Sequence, residues 1–178
     1  LDFYGDMERY FVAKKLLFSP PYRRSDTIAV TNRDEPYGAR IARECAGRWL
    51  TFGRTAGDYR IVDPELTATF NRFTLEGPGG SLSLRSRLVG DFSLPNAAGA
   101  AVLALGSGIG TEAVKKGVAE AYVPGRLDPV ETSLPFSVFI DYAHMGHALD
   151  NVLTSLRGLC KGKLIVVFGA GGDRPPDR

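Results

Sequence analysis

Cysteine is scarce in this chain: it has two, Cys45 and Cys160, far apart in sequence. Two isolated thiols exclude a disulfide framework and indicate a reducing compartment. Long apolar runs are missing as well. The uncharged stretch Phe92 to Gly110 is broken by Gly, Ser, Pro and Asn, which leaves no membrane span. Neither sign of charge dominates. The net charge of +2 over 178 residues is too small to argue for nucleic acid or an anionic membrane as partner. The opening LDFYGDMERY carries acids early and has no apolar segment, so it is no signal peptide. It also lacks an initiator Met, and the chain reads as a fragment of something longer. Histidine is limited to His144 and His147, spaced H-x-x-H without Cys, Asp or Glu at ligand spacing, a weak metal signal.

What is present is an ordinary soluble composition, 44% apolar and 24% charged, enough for one medium domain or parts of two. Residues 6 to 18 predict a helix with Met7, Tyr10, Phe11, Lys14, Leu17 and Phe18 on one side; the prolines at 20 and 21 end it. Thr27 to Thr31 predicts a short strand, NRDEPYG a turn, and a helix then runs to Cys45. Residues 59 to 88, partly alternating, predict an antiparallel excursion turned by GPGG at 77 to 80. Two Ala-rich helices follow at 94 to 106 and 111 to 121. The VPGRLDP segment at 123 to 129 marks a domain boundary, giving bodies of residues 1–122 and 123–178.

The last fifty residues predict a βαβ unit. PFSVFIDY reads as a strand buried on both faces, residues 145 to 158 as a helix with Leu149, Val152, Leu153 and Leu156 on one stripe, and KLIVVFG as a second, parallel strand. Parallel strands end at one sheet edge, where α/β sheets bind ligands. That edge would bring Asp141 and His144 beside the GAGGDR loop. Asp141, acceptor-only when ionised, suits ribose hydroxyls, or a cap or turn. The GAGGDR spacing is not that of a dinucleotide fingerprint. Lys14 on an apolar helix side is either a snorkelling stem or a partly desolvated, reactive amine. Asn96 suits a nucleobase edge or a helix cap. Arg126, in the expected hinge, could reach a phosphate across a cleft. His144 caps or packs at the helix start.

In order along the chain, LDFYGDMERYFVAKKLLF, AVTNRDEPYG, GDFSLPNAAGA, VPGR, IDYAHMGHALDNVL and VVFGAGGDR resemble the Mur ligases, most of all the tripeptide-forming type. The resemblance covers nearly the whole chain. It implies an α/β fold: the end of a central ATP-binding domain with an antiparallel excursion, then the first βαβ unit of a Rossmann-like C-terminal domain. It implies a cytoplasmic, monomeric ligase of peptidoglycan synthesis that uses ATP and Mg²⁺. Such an enzyme joins a diamino acid to UDP-N-acetylmuramoyl-L-Ala-D-Glu through an acyl phosphate. By the same resemblance Lys14 is carbamylated and supports Mg²⁺. Asn96, Arg126 and Asp141 contact ATP, Arg174 holds the incoming amino acid, and His144 adds to the substrate site.

The departures from that pattern are specific. Tyr4 stands where the family has His, Ser93 where it has Asn, and Met145, Gly146 and His147 where it has Thr-Pro-Asp. PPDR replaces a Lys-Arg-Pro segment after Arg174. The chain contains no G-x-x-G-K-[ST] phosphate loop and no Asp-Asn-Pro-Arg segment selecting diaminopimelate. A folylpolyglutamate or cyanophycin synthetase, and a non-catalytic Mur-like module, remain the alternative readings.

Overall fold

A computed structural model describes residues 4–169. Helix α1 (Met7–Lys15) starts where the Asp6 carboxylate accepts from the Arg9 N–H at 2.8 Å, and it runs on into a 3₁₀ turn at Leu16–Phe18. Strand β1 (Ile28–Asn32), helix α2 (Pro36–Glu44) and strand β2 (Arg48–Gly53) follow. β1 and β2 pair in parallel, so α2 is the crossover such a pair requires. Pro36 at its first turn fits a position whose N–H has no helical partner.

Strands β3 (Tyr59–Leu66), β4 (Asn71–Gly77) and β5 (Gly80–Ser86) extend the sheet in the order β1-β2-β3-β4-β5. β3 joins β2 in parallel, and β4 runs antiparallel to both β3 and β5. The GPGG turn is as the sequence predicts, with Gly77 opposite Gly80. Gly80 takes φ +101°, open to glycine at little cost. β4 and β5 bury alternate residues, among them Phe73, Leu75, Leu82 and Leu84. Against that face lie helices α3 (Ser93–Gly106) and α4 (Thr111–Glu120). Leu94, Ala98, Ala101, Val102 and Val114 complete a core with Phe52 and Ile61. Small alanines let α3 lie close to the sheet.

Beyond the 123–129 turn, β6 (Asp128–Val130) and β7 (Val138–Ile140) form a separate antiparallel pair, followed by α5 (Gly146–Leu159). α5 turns Val152 and Leu156 onto Leu127, Val89 and Phe92 in a small cluster that spans the turn. At its end the Arg157 guanidinium donates to the Cys160 and Gly162 carbonyls, as a cation at a helix C-terminus should.

Two expectations are corrected, both in the last fifty residues, and the apolar side of α1 is only partly covered. Phe11 alone is buried in α1, while Met7, Tyr10 and Leu17 are exposed and Lys14 lies at the surface. Phe11 packs with Ile41 and Cys45, and ion pairs of Glu8 with Arg40 and of Lys15 with Glu44 tie the helix to α2. The β7 strand has three residues and is not covered on both faces: Phe136 and Ile140 are exposed because β6 is its sole strand neighbour among the described residues. Residues 163–169 form no strand pairing among the described residues, and Ile165, Val167 and Phe168 are exposed, so the expected parallel second strand is not seen there. The strand and helix of that unit are present without their closing strand.

Candidate functional site

The corner around the 123–129 turn is built by carboxylates holding backbone. Asp141, leaving β7, accepts from the Leu127 N–H at 2.7 Å through Oδ2 and from the Ala143 N–H at 2.7 Å through Oδ1. The second bond is an Asx turn, one of the local roles the sequence left open. Tyr142 N–H donates to the Gly125 carbonyl at 2.8 Å. Asp128 accepts from the Tyr122 hydroxyl at 2.7 Å and the Gly125 N–H at 3.3 Å. That bond to Asp128 pushes the Tyr122 phenol up. Leu127, between these anchors, has φ +44° and is 1% exposed. A leucine rarely adopts that conformation; burial against Val89 and Val152, with its N–H fixed on Asp141, holds it there.

Arg126 is exposed next to this anchored leucine, its guanidinium 5.5 Å from the centre of the Tyr142 ring. Tyr142, 61% exposed, meets the His144 ring edge-on with centroids 4.9 Å apart. His144 Nδ1 is 2.9 Å from the Tyr142 carbonyl. His144 is exposed and does not cap α5, whose N-cap is Met145. Arg126, Asp141 and His144 are thus brought together, joined by Tyr142, which the sequence reading passed over.

Asn96 is exposed on the first turn of α3 and is not its cap. Its amide donates at 3.4 Å to the Phe92 carbonyl, and Phe92 packs on the Leu127 cluster. The start of α3 therefore abuts the same corner. Ser93 is buried there, donating to the Leu88 and Gly90 carbonyls at 2.9 and 2.7 Å. Fully buried Asn71 donates to the Gly90 carbonyl at 2.8 Å and to Ser93 Oγ at 2.9 Å. Its Oδ1 has no partner among the described residues. Arg54 pairs with Asp91 at the same turn. Nothing local in the sequence marks Asn71, which acts through residues 19 and 22 positions away.

Two other groups stand apart. Lys14 Nζ lies 5.2 Å from the Tyr10 ring centre, and Tyr10 meets Tyr4 with centroids 5.4 Å apart. Among the described residues Lys14 has no ion-pair partner, whereas its neighbour Lys15 pairs with Glu44 at 2.8 Å. Asp34, in the NRDEPYG turn, gathers the loop after β2. It accepts from the Thr55 hydroxyl at 2.6 Å and from the N–H groups of Arg54, Thr55 and Ala56. Burial pushes its carboxyl up, but these donors together hold it below the usual carboxylate range. Arg174 lies outside the described residues, as does the GAGGDR loop from residue 170 on. Among the described residues no three of His, Cys, Asp and Glu are placed to hold a metal ion. No described helix is long and apolar enough to cross a membrane.

Comparison with known proteins gives consistent matches. The Mur ligase middle domain matches residues 1–104, and the Mur ligase, glutamate ligase domain matches residues 125–178. The UDP-N-acetylmuramoyl-L-alanyl-D-glutamate--2,6-diaminopimelate ligase of Geobacter metallireducens is 37% identical over 183 residues, covering 98% of this chain and 35% of its own length. The ligase of that name from Gloeobacter violaceus is 40% identical over 176 residues, covering 98% of this chain and 36% of its own. The chain therefore spans about a third of the length of these relatives. A solved diaminopimelate ligase of the same name superposes with TM-score 0.74 at 29% identity, over 96% of this chain and 36% of its own. MurF from Acinetobacter baumannii superposes with TM-score 0.76 at 23% identity, over 86% of this chain and 34% of its own, a likeness of fold.

Proposed function

The chain belongs to the Mur ligase family, and from that premise we propose that it serves an ATP-dependent ligase adding the third amino acid to UDP-N-acetylmuramoyl-L-Ala-D-Glu in peptidoglycan synthesis. The observation that carries this reading is the corner where Asp141 fixes Leu127. One carboxylate joins the strand exit to the turn bearing Arg126, and the start of α3, with Asn96, packs against that turn through Phe92. Of the three residues read as ATP contacts, Arg126 and Asp141 share this corner, and Asn96 is tied to it through Phe92.

Each has a chemistry for ATP. The Asn96 amide offers donor and acceptor to a base edge. Asp141 keeps lone pairs beyond its two backbone bonds and can accept from ribose hydroxyls. Arg126, over the exposed Tyr142 ring, would supply a planar fork for phosphate. In the reaction, a glutamyl carboxylate takes the γ-phosphoryl group of ATP, an amine attacks the acyl phosphate, and phosphate leaves. Positioning and neutralisation of charge carry such a transfer. The described residues do not by themselves fit Mg²⁺, since no acidic cluster is formed. Lys14, as a carbamate, would add one anionic oxygen ligand of the kind Mg²⁺ takes. Arg174 is assigned to the carboxylate of the incoming diamino acid and His144 to the edge of that site. The 1–122 and 123–178 bodies meet near Arg126, the enzyme is a cytoplasmic monomer, and the diamino acid is diaminopimelate, as the names of the relatives suggest, or lysine.

The test is phosphate release from ATP by the full-length protein. The expected result is turnover that needs both UDP-N-acetylmuramoyl-L-Ala-D-Glu and a diamino acid. Turnover with folate and glutamate instead would move the chain to the folylpolyglutamate type, and no turnover with any pair would leave a binding module.

A further inference from the structure

A buried polar lock sits at the open end of the β4–β5 hairpin, beneath the turn that starts α3. Asn71 opens β4 opposite Ser86, the last residue of β5, and is 0% exposed. Its amide donates to the Gly90 carbonyl at 2.8 Å and to Ser93 Oγ at 2.9 Å. A carbonyl only accepts, so it is the NH₂ end of the side chain that must face Gly90. Neither partner depends on that amide for satisfaction. The Gly90 carbonyl is also reached by the Ser93 N–H at 3.1 Å and the Ser93 hydroxyl at 2.7 Å. Ser93 Oγ also reaches the Leu88 carbonyl at 2.9 Å. Burial meanwhile leaves Asn71 Oδ1 without a partner among the described residues, an arrangement that costs stability.

We propose that Asn71 is a positioning residue for the nucleotide site: its amide ties β4 to the Gly90–Ser93 turn and thereby sets where Asn96 and the Arg126 turn stand. A group whose partners are satisfied without it, and which leaves its own oxygen orphaned, contributes geometry. The path to each contact is short. Ser93 and Asn96 lie three residues apart at the start of α3, so fixing Ser93 fixes the rotation of that first turn. Asn96 donates back to the Phe92 carbonyl. Gly90 is so close to Phe92 and Leu127 that a Cβ on it would fall 2.8 and 2.9 Å from their side chains. Leu127 is the chain neighbour of Arg126, and its N–H is fixed on Asp141. Arg54 pairs with Asp91 in the same turn from its more exposed side. The turn is thus held from the core by Asn71 and from outside by Arg54. That Asn96 and Arg126 contact ATP is the ligase reading, on which the nucleotide part of this inference rests; the lock itself does not.

The test compares Asn71→Ala and Asn71→Leu with the unaltered full-length protein. Backbone exchange at residues 92–98, followed by mass spectrometry, should become about tenfold faster as the turn opens locally. The KM for ATP should rise by about tenfold through misplacement of its contacts, while the KM for the diamino acid stays within about twofold. Val118→Ala, which removes volume from the core on α4, should lower the thermal midpoint without moving either readout. In folded Asn71 variants, unchanged exchange overturns the lock, and faster exchange with an unchanged KM for ATP overturns the positioning role. If neither variant folds, Arg54→Met loosens the same turn from its exposed side. It should speed exchange at residues 92–98 and raise the KM for ATP severalfold, and no change in either would overturn the inference. If the unaltered protein is no ligase, that reading fails by itself and takes the nucleotide part with it, and the exchange rates still decide the lock.

Discussion

Asp141 commits both carboxylate oxygens to backbone N–H groups on two segments, so its side chain shapes the corner before any ligand arrives. Asp141→Ala should therefore lower stability as well as nucleotide affinity. Losing two charge-assisted bonds in a half-buried setting should cost about 2 kcal/mol, read as a shift in the urea midpoint of the full-length protein. Asp141→Asn should keep part of this, since one amide oxygen still accepts. An unchanged midpoint in the alanine variant would show that the Leu127 turn is held by packing alone. The sequence placed this acid at a strand exit and allowed it a turn as one possible role. It could not show the bond to Leu127, because the partner lies 14 residues away and only the fold brings it near.

At the scale of the element, α2 lies so close to β1 that a side chain at Gly38 has no room: its Cβ would overlap the Asn32 carbonyl oxygen and crowd Thr31. Backbone cannot yield as a flexible side chain does. Gly38→Ala should shift the thermal midpoint downward, despite alanine's better helix propensity, by an amount on the order of 2 kcal/mol. A rise in the midpoint would mean that α2 can slide off the strand. The α1–α2 contact has a pH signature. Hydrogen bonds from Lys15, then from Arg40, hold the Glu44 carboxyl at about 2, against 4.5 unperturbed. A depressed folded pKa gives a stabilising contribution that is complete above the unfolded value and fades as pH falls toward the folded one. The contribution of Glu44 should thus persist at neutral pH and be lost between about pH 4.5 and 2. Unfolding midpoints of wild type and Glu44→Gln, followed across that window, should converge at the acid end. Curves that stay parallel would remove this contact from the acid response.

At the scale of the molecule, the 178-residue chain by itself should bind ATP weakly. It contains no glycine-rich phosphate loop with its lysine, and in the proposed reading Asn96, Arg126 and Asp141 would address only the nucleoside end and one phosphate. Calorimetry should give a Kd no tighter than the millimolar range, about −4 kcal/mol, with no turnover. Micromolar binding would place the main nucleotide site within these residues. What the sequence determined by itself was local. Turn chemistry gave GPGG, alternation gave β4 and β5, alanine-rich periodicity gave α3 and α4, and ordered motifs gave the family resemblance, which the family match bears out. Each depends on residues within a few positions of one another. Tertiary structure decided the rest. Apolar content predicted a helix with an apolar side over residues 6 to 18 and two buried strands after residue 135. Burial, though, is a property of neighbours: Phe11 alone is buried in α1, beside ion pairs to α2, and β7 has one partner strand among the described residues. The pairing of Arg40 with Glu8, 32 residues apart, and of Asp141 with Leu127 exists only once the chain has folded. A carboxylate chooses its donor by distance in space, which sequence spacing does not encode beyond a turn or two of helix.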